Sequence, residues 1–284
     1  MLYRNQFGPK LPEYLMSLDV VPTMLDVPII IGGPCSVESV NQMDRIYAVI
    51  KDHITHMRGG VFRQGTYPGS QGGWSGQTEF EGRKVSSGWQ MELLKAYHAK
   101  SLEIGKPNIV EVLDARDLDI IYPYAGAFQV GERQSQHYAL LEELGRQNKP
   151  VFLKRGTWEK LNELLGSLEY IVKGGNTNVV LIERGSVSYM DHVRWDLSIS
   201  LIAKLKQLVH LPVIVDAAHG TGDRTIVEQM TLAGIAAGAD GCLCETHYDP
   251  DGSLSDAEQT ISLDKFIHIV TAVRSLISWR STIE

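Results

Sequence analysis

"PVFLKRGTWEKLNELLGSLEYIVKGGNTNVVLIER", residues 150 to 184, holds a complete strand–helix–strand unit. Its ends, "PVFLKR" (150–155) and "NVVLIER" (178–184), are apolar runs with little polar alternation. Strands of that kind are buried on both faces, as in a parallel sheet. Between them, "KLNELLGSLEYIVKGG" (160–175) places apolar residues at three- and four-residue spacing and ends on two glycines. That is an amphipathic helix with a glycine stop.

The same unit repeats outward in both directions. Further strands are expected at "PIIIGG" (28–33), "GGVFR" (59–63), "NIVEVL" (108–113), "AFQVG" (127–131), "LPVIVDA" (211–217) and "DGCLCE" (240–245). Helical spacing covers residues 91–102, 137–147, 197–209, 225–238 and 263–277. Eight strands, most followed by a helix, over about 250 residues predict an α/β fold, the (β/α)8 TIM barrel. An open doubly wound sheet would carry a glycine-rich nucleotide fingerprint, and there is neither a G-x-G-x-x-G after a strand nor a Walker A motif. Residues 1–27 read as an N-terminal leader and 28–284 as the barrel. The polar, glycine-rich insertion "GSQGGWSGQTEFEGRKVSSG" (69–88) follows strand two and belongs on the active-site side.

The 284 residues are 43% hydrophobic and carry a formal net charge of -7. That balance gives no broad basic footprint for nucleic acid. No apolar run reaches the ~20 residues that span a bilayer. The N-terminus has charges and prolines where a signal peptide has an apolar stretch. The three cysteines are Cys35, Cys242 and Cys244, and i,i+2 neighbours in a strand rarely bond. The expectation is a reduced cytoplasmic protein without membrane or nucleic-acid partners.

In such barrels, chemistry sits on the loops after the strands. Cys35 follows strand one. Arg58 precedes strand two and Arg63 ends it. Arg133 follows strand four, Lys154 and Arg155 end strand five, and Glu183 and Arg184 end strand six. Strand seven leads to Asp216 and His219. Strand eight ends in Glu245, followed by His247 and Asp256. Two groups emerge. Cys35, His219, Glu245 and Asp256 offer thiolate, imidazole and carboxylate ligands, which suit a borderline divalent ion such as Mn2+, Fe2+, Co2+ or Zn2+. Arg58, Arg133, Lys154 and Arg184 form a cationic set that a phosphate and a carboxylate together would satisfy. Taken singly, a buried cysteine is usually a small hydrophobe and a strand-end arginine usually a solvated or paired charge. Their shared placement at one pole of the barrel argues otherwise.

The chain also resembles the class I 3-deoxy-D-arabino-heptulosonate 7-phosphate (DAHP) synthases and their relatives, the 3-deoxy-D-manno-octulosonate 8-phosphate (KDO8P) synthases. The resemblance is carried by "GGPCSVES" (32–39), "KPVFLKRGTWEKLNELLGSLEYI" (149–171), "LIERG" (181–185), "HLPVIVDAAHGTGDR" (210–224) and "GADGCLCETHYDPDGSLSDAEQ" (238–259). It implies a metal-dependent transferase that condenses phosphoenolpyruvate with an aldose phosphate and works as a homodimer or homotetramer. It assigns Cys35, His219, Glu245 and Asp256 to the metal. Arg58, Arg63, Thr66, Arg133, Lys154, Arg184 and His219 would bind substrate, and Arg63, Lys154, His219 and Asp216 would act in catalysis. Asp216 and His247 are the candidates for handling the proton of the attacking water. A leader of 27 residues is too short for a regulatory domain, so feedback by aromatic amino acids is not expected.

The departures lie at the acceptor end. The synthases carry Lys-Pro-Arg-Thr after strand two, and this chain has Arg63-Gln64-Gly65-Thr66. Val187 stands where the short synthases have an arginine. Either Arg83 or Lys84 of the insertion restores a phosphate contact, or the acceptor is another aldehyde, without a terminal phosphate; the second is favoured. Rival readings are KDO8P-type condensation, a metal-dependent sugar-phosphate aldolase acting without phosphoenolpyruvate, and a non-catalytic metabolite-binding barrel.

Overall fold

The apolar runs close into a barrel. The computed structural model describes residues 28–62 and 91–283, with the backbone of the pairs 79–80 and 83–84. Its strands are β1 (Ile29–Gly33), β2 (His56–Arg58), β5 (Asn108–Glu111), β6 (Ala127–Val130), β7 (Val151–Lys154), β8 (Val179–Glu183), β9 (Val213–Val215) and β10 (Gly241–His247). Each pairs in parallel with the next, and β1 pairs with β10 from Ile29↔Gly241 to Gly33↔Glu245, which closes the ring. This is the expected (β/α)8 barrel.

Side chains alternate across each strand. One set points inward: Ile29, Ile31, Ile109, Ala127, Phe152, Val180, Ile182, Ile214 and Leu243 form a buried cluster of their own. The other set, including Ile30, Met57, Val110, Phe128, Leu153, Leu181, Val213, Cys242 and Cys244, packs outward against the helices. Cys242 and Cys244 therefore point the same way and remain free thiols.

The helices bury one stripe each. In α5 (Leu161–Lys173) the buried positions are Leu164, Leu165, Ser167, Leu168, Ile171 and Val172. The Lys160 backbone N–H donates to the Glu163 carboxylate at 2.7 Å and fixes the first turn. The other helices are α1 (Val40–Ile50), α2 (Met91–Ile104), α3 (Leu118–Ile121), α4 (Tyr138–Gly145), α6 (Ile199–Leu208), α7 (Ala217–Thr221), α8 (Val227–Ala236) and α9 (Leu263–Arg280). Helix α1 was not marked by sequence spacing; Ser39 caps it, accepting from the Gln42 N–H at 3.1 Å. No helix among the described residues is long and apolar enough to cross a membrane.

Strand two needs correction. It runs over His56–Arg58, not 59–63, so Arg58 ends the strand rather than preceding it. Two of its three residues are polar because both face the interior. The apolar Val61 and Phe62 that follow belong to the outer core. Short strands β3 (Glu79–Phe80) and β4 (Arg83–Lys84) form an antiparallel hairpin within the insertion, and β11 (Ile261–Ser262) extends the sheet beside β10. The leader, 1–27, and Arg63, Gln64, Gly65 and Thr66 lie outside the described residues.

Candidate active site

Alternation decides which strand-end charges enter the barrel. Positions two beyond inward residues are Arg58, which follows His56, and Glu111, Gln129, Lys154, Arg184, Asp216 and Glu245, which follow apolar ones. The odd neighbours go the other way: Arg155 and Glu183 face outward as a buried bidentate pair, with N···O distances of 2.6 and 2.8 Å. The four strand-end charges of β7 and β8 thus split into two inside and two outside.

Arg58, Glu111, Gln129, Lys154 and Arg184 wall a pocket at the C-terminal end of the barrel together with Cys35, Arg133, Arg194, His219 and Asp256, while Asp216 and Glu245 are fully buried behind that wall. On the side where β10 meets β1, the Cys35 thiol donates to Asp256 Oδ2 at 3.1 Å. One ligand atom each of Cys35, Glu245 and Asp256 lies within 4.8 Å of the others. His219 Nε2 is 3.3 Å from Glu245 Oε1. Asp216 holds the other ring nitrogen, Nδ1, at 2.8 Å, and this turns Nε2 toward the carboxylate. Asp256 is held at φ 50, the one non-glycine residue with positive φ among the described residues. Three of the four residues named as ligands, Cys35, Glu245 and Asp256, converge, and His219 meets Glu245; a soft thiolate beside two carboxylates and an imidazole fits a borderline divalent ion.

Glu245 is fully buried. Burial disfavours its charge, but His219 and Arg58 outweigh that and pull its pKa down to about 2. Its Oε1 accepts from Arg58 Nη1 at 2.5 Å and its Oε2 from Gln259 Nε2 at 2.6 Å. Burial likewise opposes the charge on Asp216, yet His219 and Lys154 hold it well below the usual carboxylate range. Lys154 Nζ is 2.9 Å from Asp216 Oδ2. His247 sits two positions past Glu245, with Nδ1 hydrogen-bonded at Asp249 and Nε2 3.9 Å from Glu38. It is not in the pocket wall. Asp216, bonded to both Lys154 and His219, is a positioning residue for them.

On the opposite wall, Arg184 is 1% exposed. Its Nη2 is 2.7 Å from Glu132 Oε2, while Nε and Nη1 have no hydrogen-bond partner among the described residues. Burial lowers its pKa. Arg133, in the turn after β6, is exposed at the rim. Arg58, Arg133, Lys154 and Arg184 line one pocket. Arg63 and Thr66, also named for the site, lie outside the described residues. Val187 is elsewhere: it lines a separate groove with Thr157 and Trp158. Sequence reasoning missed Glu111, Gln129 and Arg194. The first two were legible from the period-two alternation of β5 and β6, but Arg194 lies in a loop with no such signal.

Known proteins are similar to this chain in sequence and fold. The DAHP synthetase I family matches residues 24–278. A phospho-2-dehydro-3-deoxyheptonate aldolase from Thermotoga maritima is 34% identical over 87% of this chain and 69% of its own length. A 2-dehydro-3-deoxyphosphooctonate aldolase from Desulfotalea psychrophila is 27% identical over 90% of this chain and 91% of its own length. Among solved structures, a truncated 3-deoxy-D-arabino-heptulosonate 7-phosphate synthase from Thermotoga maritima superposes with a TM-score of 0.76 and 31% identity, covering 88% of this chain and 86% of that one. With the barrel and pocket in place and the match running nearly end to end, the chain belongs to the DAHP synthetase I family.

Proposed function

We propose that the chain is a transferase joining phosphoenolpyruvate to a sugar aldehyde in this pocket. Carbon 3 of phosphoenolpyruvate bonds to the aldehyde carbon, water adds at carbon 2, and the C–O bond to phosphate breaks. The observation that carries the reading is Arg184: a guanidinium 1% exposed, with two nitrogens unpartnered among the described residues, facing into the cavity. Such a group calls for an anion, because buried donors left unpaired are costly. Lys154, Arg133 and Arg58 stand beside it, so a doubly anionic phosphate and a carboxylate fit there together.

Cys35, His219, Glu245 and Asp256 would hold a divalent metal, with Mn2+, Fe2+, Co2+ and Zn2+ all compatible with the donors. When bound, the ion supplies Lewis acidity for polarising the aldehyde oxygen. Asp216 keeps His219 oriented and keeps Lys154 charged. Arg63 and Thr66 belong to the proposed substrate and catalytic set by resemblance. A heptulosonate needs a four-carbon acceptor and an octulosonate a five-carbon one, so both aldose phosphates are candidates. Assembly into a homodimer or homotetramer is part of the proposal, supported by the exposed Trp158, Tyr189 and Met190 on the loops after β7 and β8. Cytoplasmic residence fits three cysteines that form no disulfide with one another.

The test is a panel of aldehydes with phosphoenolpyruvate and Mn2+, read as phosphate release. Release should require both substrates. An aldehyde cleaved or phosphate released with one substrate alone would defeat the reading.

A further inference from the structure

The loop that delivers Asp256 is fastened on two sides. Asp256 sits at φ 50, a conformation that costs a non-glycine residue of order 1 kcal/mol and persists only where the surroundings impose it. On the β1 side, the Ser36 and Ser255 hydroxyls meet at 2.9 Å, and the Leu254 N–H donates to Glu38 at 2.9 Å. On the β9 side stands Arg224. Its Nη1 donates to Asp251 at 2.7 Å, its Nη2 to the Ala257 carbonyl, and its backbone N–H to the Glu258 carbonyl at 2.9 Å. One residue thus grips the loop both before and after Asp256.

Arg224 is itself built in. The segment after β9 forms α7, which carries His219, and then turns at Gly222 with φ +70, whose N–H donates to the Ala218 carbonyl at 2.9 Å. Asp223 next accepts from the Thr225 N–H at 2.8 Å and from its hydroxyl at 2.7 Å. The short segment that presents His219 therefore also presents the clamp on Asp256. The turn that Arg224 grips (Ala257–Gln259) ends in Gln259, whose Nε2 donates to Glu245 Oε2 at 2.6 Å. The other cation on this side does not grip the loop. Arg194 reaches only to 3.9 Å from Asp256, with its side chain 49% exposed. Its own loop is closed by a backbone bridge between Ser186 and Asp196 and lies against Gly222, where a Cβ would come 2.7 Å from Arg194 Cβ.

A lone surface ion pair would be worth little, and the Asp251 carboxylate is 86% exposed. The carbonyl contacts set Arg224 apart. A guanidinium is a rigid fork of donors, so it holds a carbonyl and a carboxylate at once in fixed directions, which a single ammonium does not. We propose that Arg224 is a positioning residue for the metal site. By fixing the turn on either side of Asp256 it sets the aim of that carboxylate and, through Gln259, of Glu245, and so decides how tightly and in what geometry a divalent ion is held. The inference rests on the metal reading of the pocket given above. Groups standing behind metal ligands typically change metal affinity by about ten- to a hundredfold.

Calorimetric titration of the metal-free full chain with Mn2+, followed by absorption spectra with Co2+, tests it. Arg224→Gln should weaken Mn2+ binding about tenfold or more. Arg224→Lys, which keeps the charge and loses the fork, should recover only part of that. With Co2+, the thiolate charge-transfer band from Cys35 should remain, because the Gly60 N–H and Arg58 hold the Cys35 carbonyl independently. The d–d bands should shift as the carboxylates lose their aim. Phosphoenolpyruvate affinity of the metal-free protein should stay within about twofold, which a general loosening of the barrel would not allow. Wild-type Mn2+ affinity with an unshifted Co2+ spectrum in Arg224→Gln would overturn the proposal, and so would a parallel loss of phosphoenolpyruvate binding. Should that variant fail to fold, Asp251→Asn decides: it releases one arm at an exposed site and should weaken Mn2+ about threefold, and unchanged affinity there overturns the proposal equally. A wild type that binds no Mn2+ would sink the metal reading itself, an outcome distinct from equal binding by wild type and variant.

Discussion

Arg184 and Lys154 do the same electrostatic work from different surroundings. Lys154 is neutralised by Asp216, whereas Arg184 shares one nitrogen with Glu132 and keeps two for a ligand. Arg184→Ala should therefore weaken phosphoenolpyruvate binding by ~2–5 kcal/mol. Lys154→Ala should cost a similar amount and also leave the buried Asp216 carboxylate with His219 as its remaining partner, so its thermal stability should fall too. Calorimetry and melting together separate the two effects; unchanged affinity in both variants would remove the cations from the ligand site. For the metal, treatment with chelator should abolish phosphate release and added Mn2+, Co2+ or Fe2+ should restore it. Cys35→Ala should lower bound metal measured by elemental analysis while phosphoenolpyruvate still binds. Full turnover by metal-free protein would refute the ligand assignment. At this scale the sequence was informative because every one of these residues follows an apolar run. It could not show that Glu245 is shared by Arg58, His219 and Gln259, since those partners come from a strand, a helix and a turn that only the closed barrel brings together.

Strands β7 and β8 carry the lesson of the elements. Both end in two consecutive charges, and only the pleat tells them apart. Arg155 and Glu183 lie outside the barrel, and Glu183 also accepts from the Gly185 and Ser198 N–H groups at 3.0 Å each. Glu183→Ala would strand a buried guanidinium and two amides. It should destabilise the fold by about 3–5 kcal/mol, visible as a lower denaturation midpoint. Arg184, its neighbour in sequence, should show its effect on ligand affinity rather than on stability. If Glu183→Ala left the midpoint unmoved, the outward pair would have no structural role. The long apolar strands were legible because burial on both faces leaves no polar alternation. Strand β2 was displaced because His56 and Arg58 break its apolar run. The loop that carries Arg194 was not legible at all, for its position depends on a backbone bridge and on the room left by Gly222.

His56 couples the whole molecule to pH. It sits low in the barrel, 4% exposed, its ring edge-on to Phe152 at 5.3 Å and its Nδ1 2.9 Å from Thr55 Oγ1. Burial, with a smaller push from Lys106, lowers its pKa to about 4. The unfolded chain takes up that proton near the ordinary value of about 6.5, and the folded protein does not. Stability from the neutral ring is therefore complete above pH ~6.5 and is lost as pH falls toward 4, by up to roughly 3 kcal/mol. Urea midpoints between pH 7 and 4 should fall more steeply for the wild type than for His56→Gln; parallel profiles would show that His56 carries no linkage.

The barrel closes where β1 meets β10, and the proposed ligands straddle that seam, with Cys35 and Asp256 lying 221 residues apart in the chain. A ribosome adding about 5–20 residues per second takes roughly 10–40 s to travel that distance. For most of that interval, until His219 and Glu245 emerge, Cys35 is a nascent thiol whose fellow ligands are not yet made, so metal loading is by geometry one of the last events in the making of this protein.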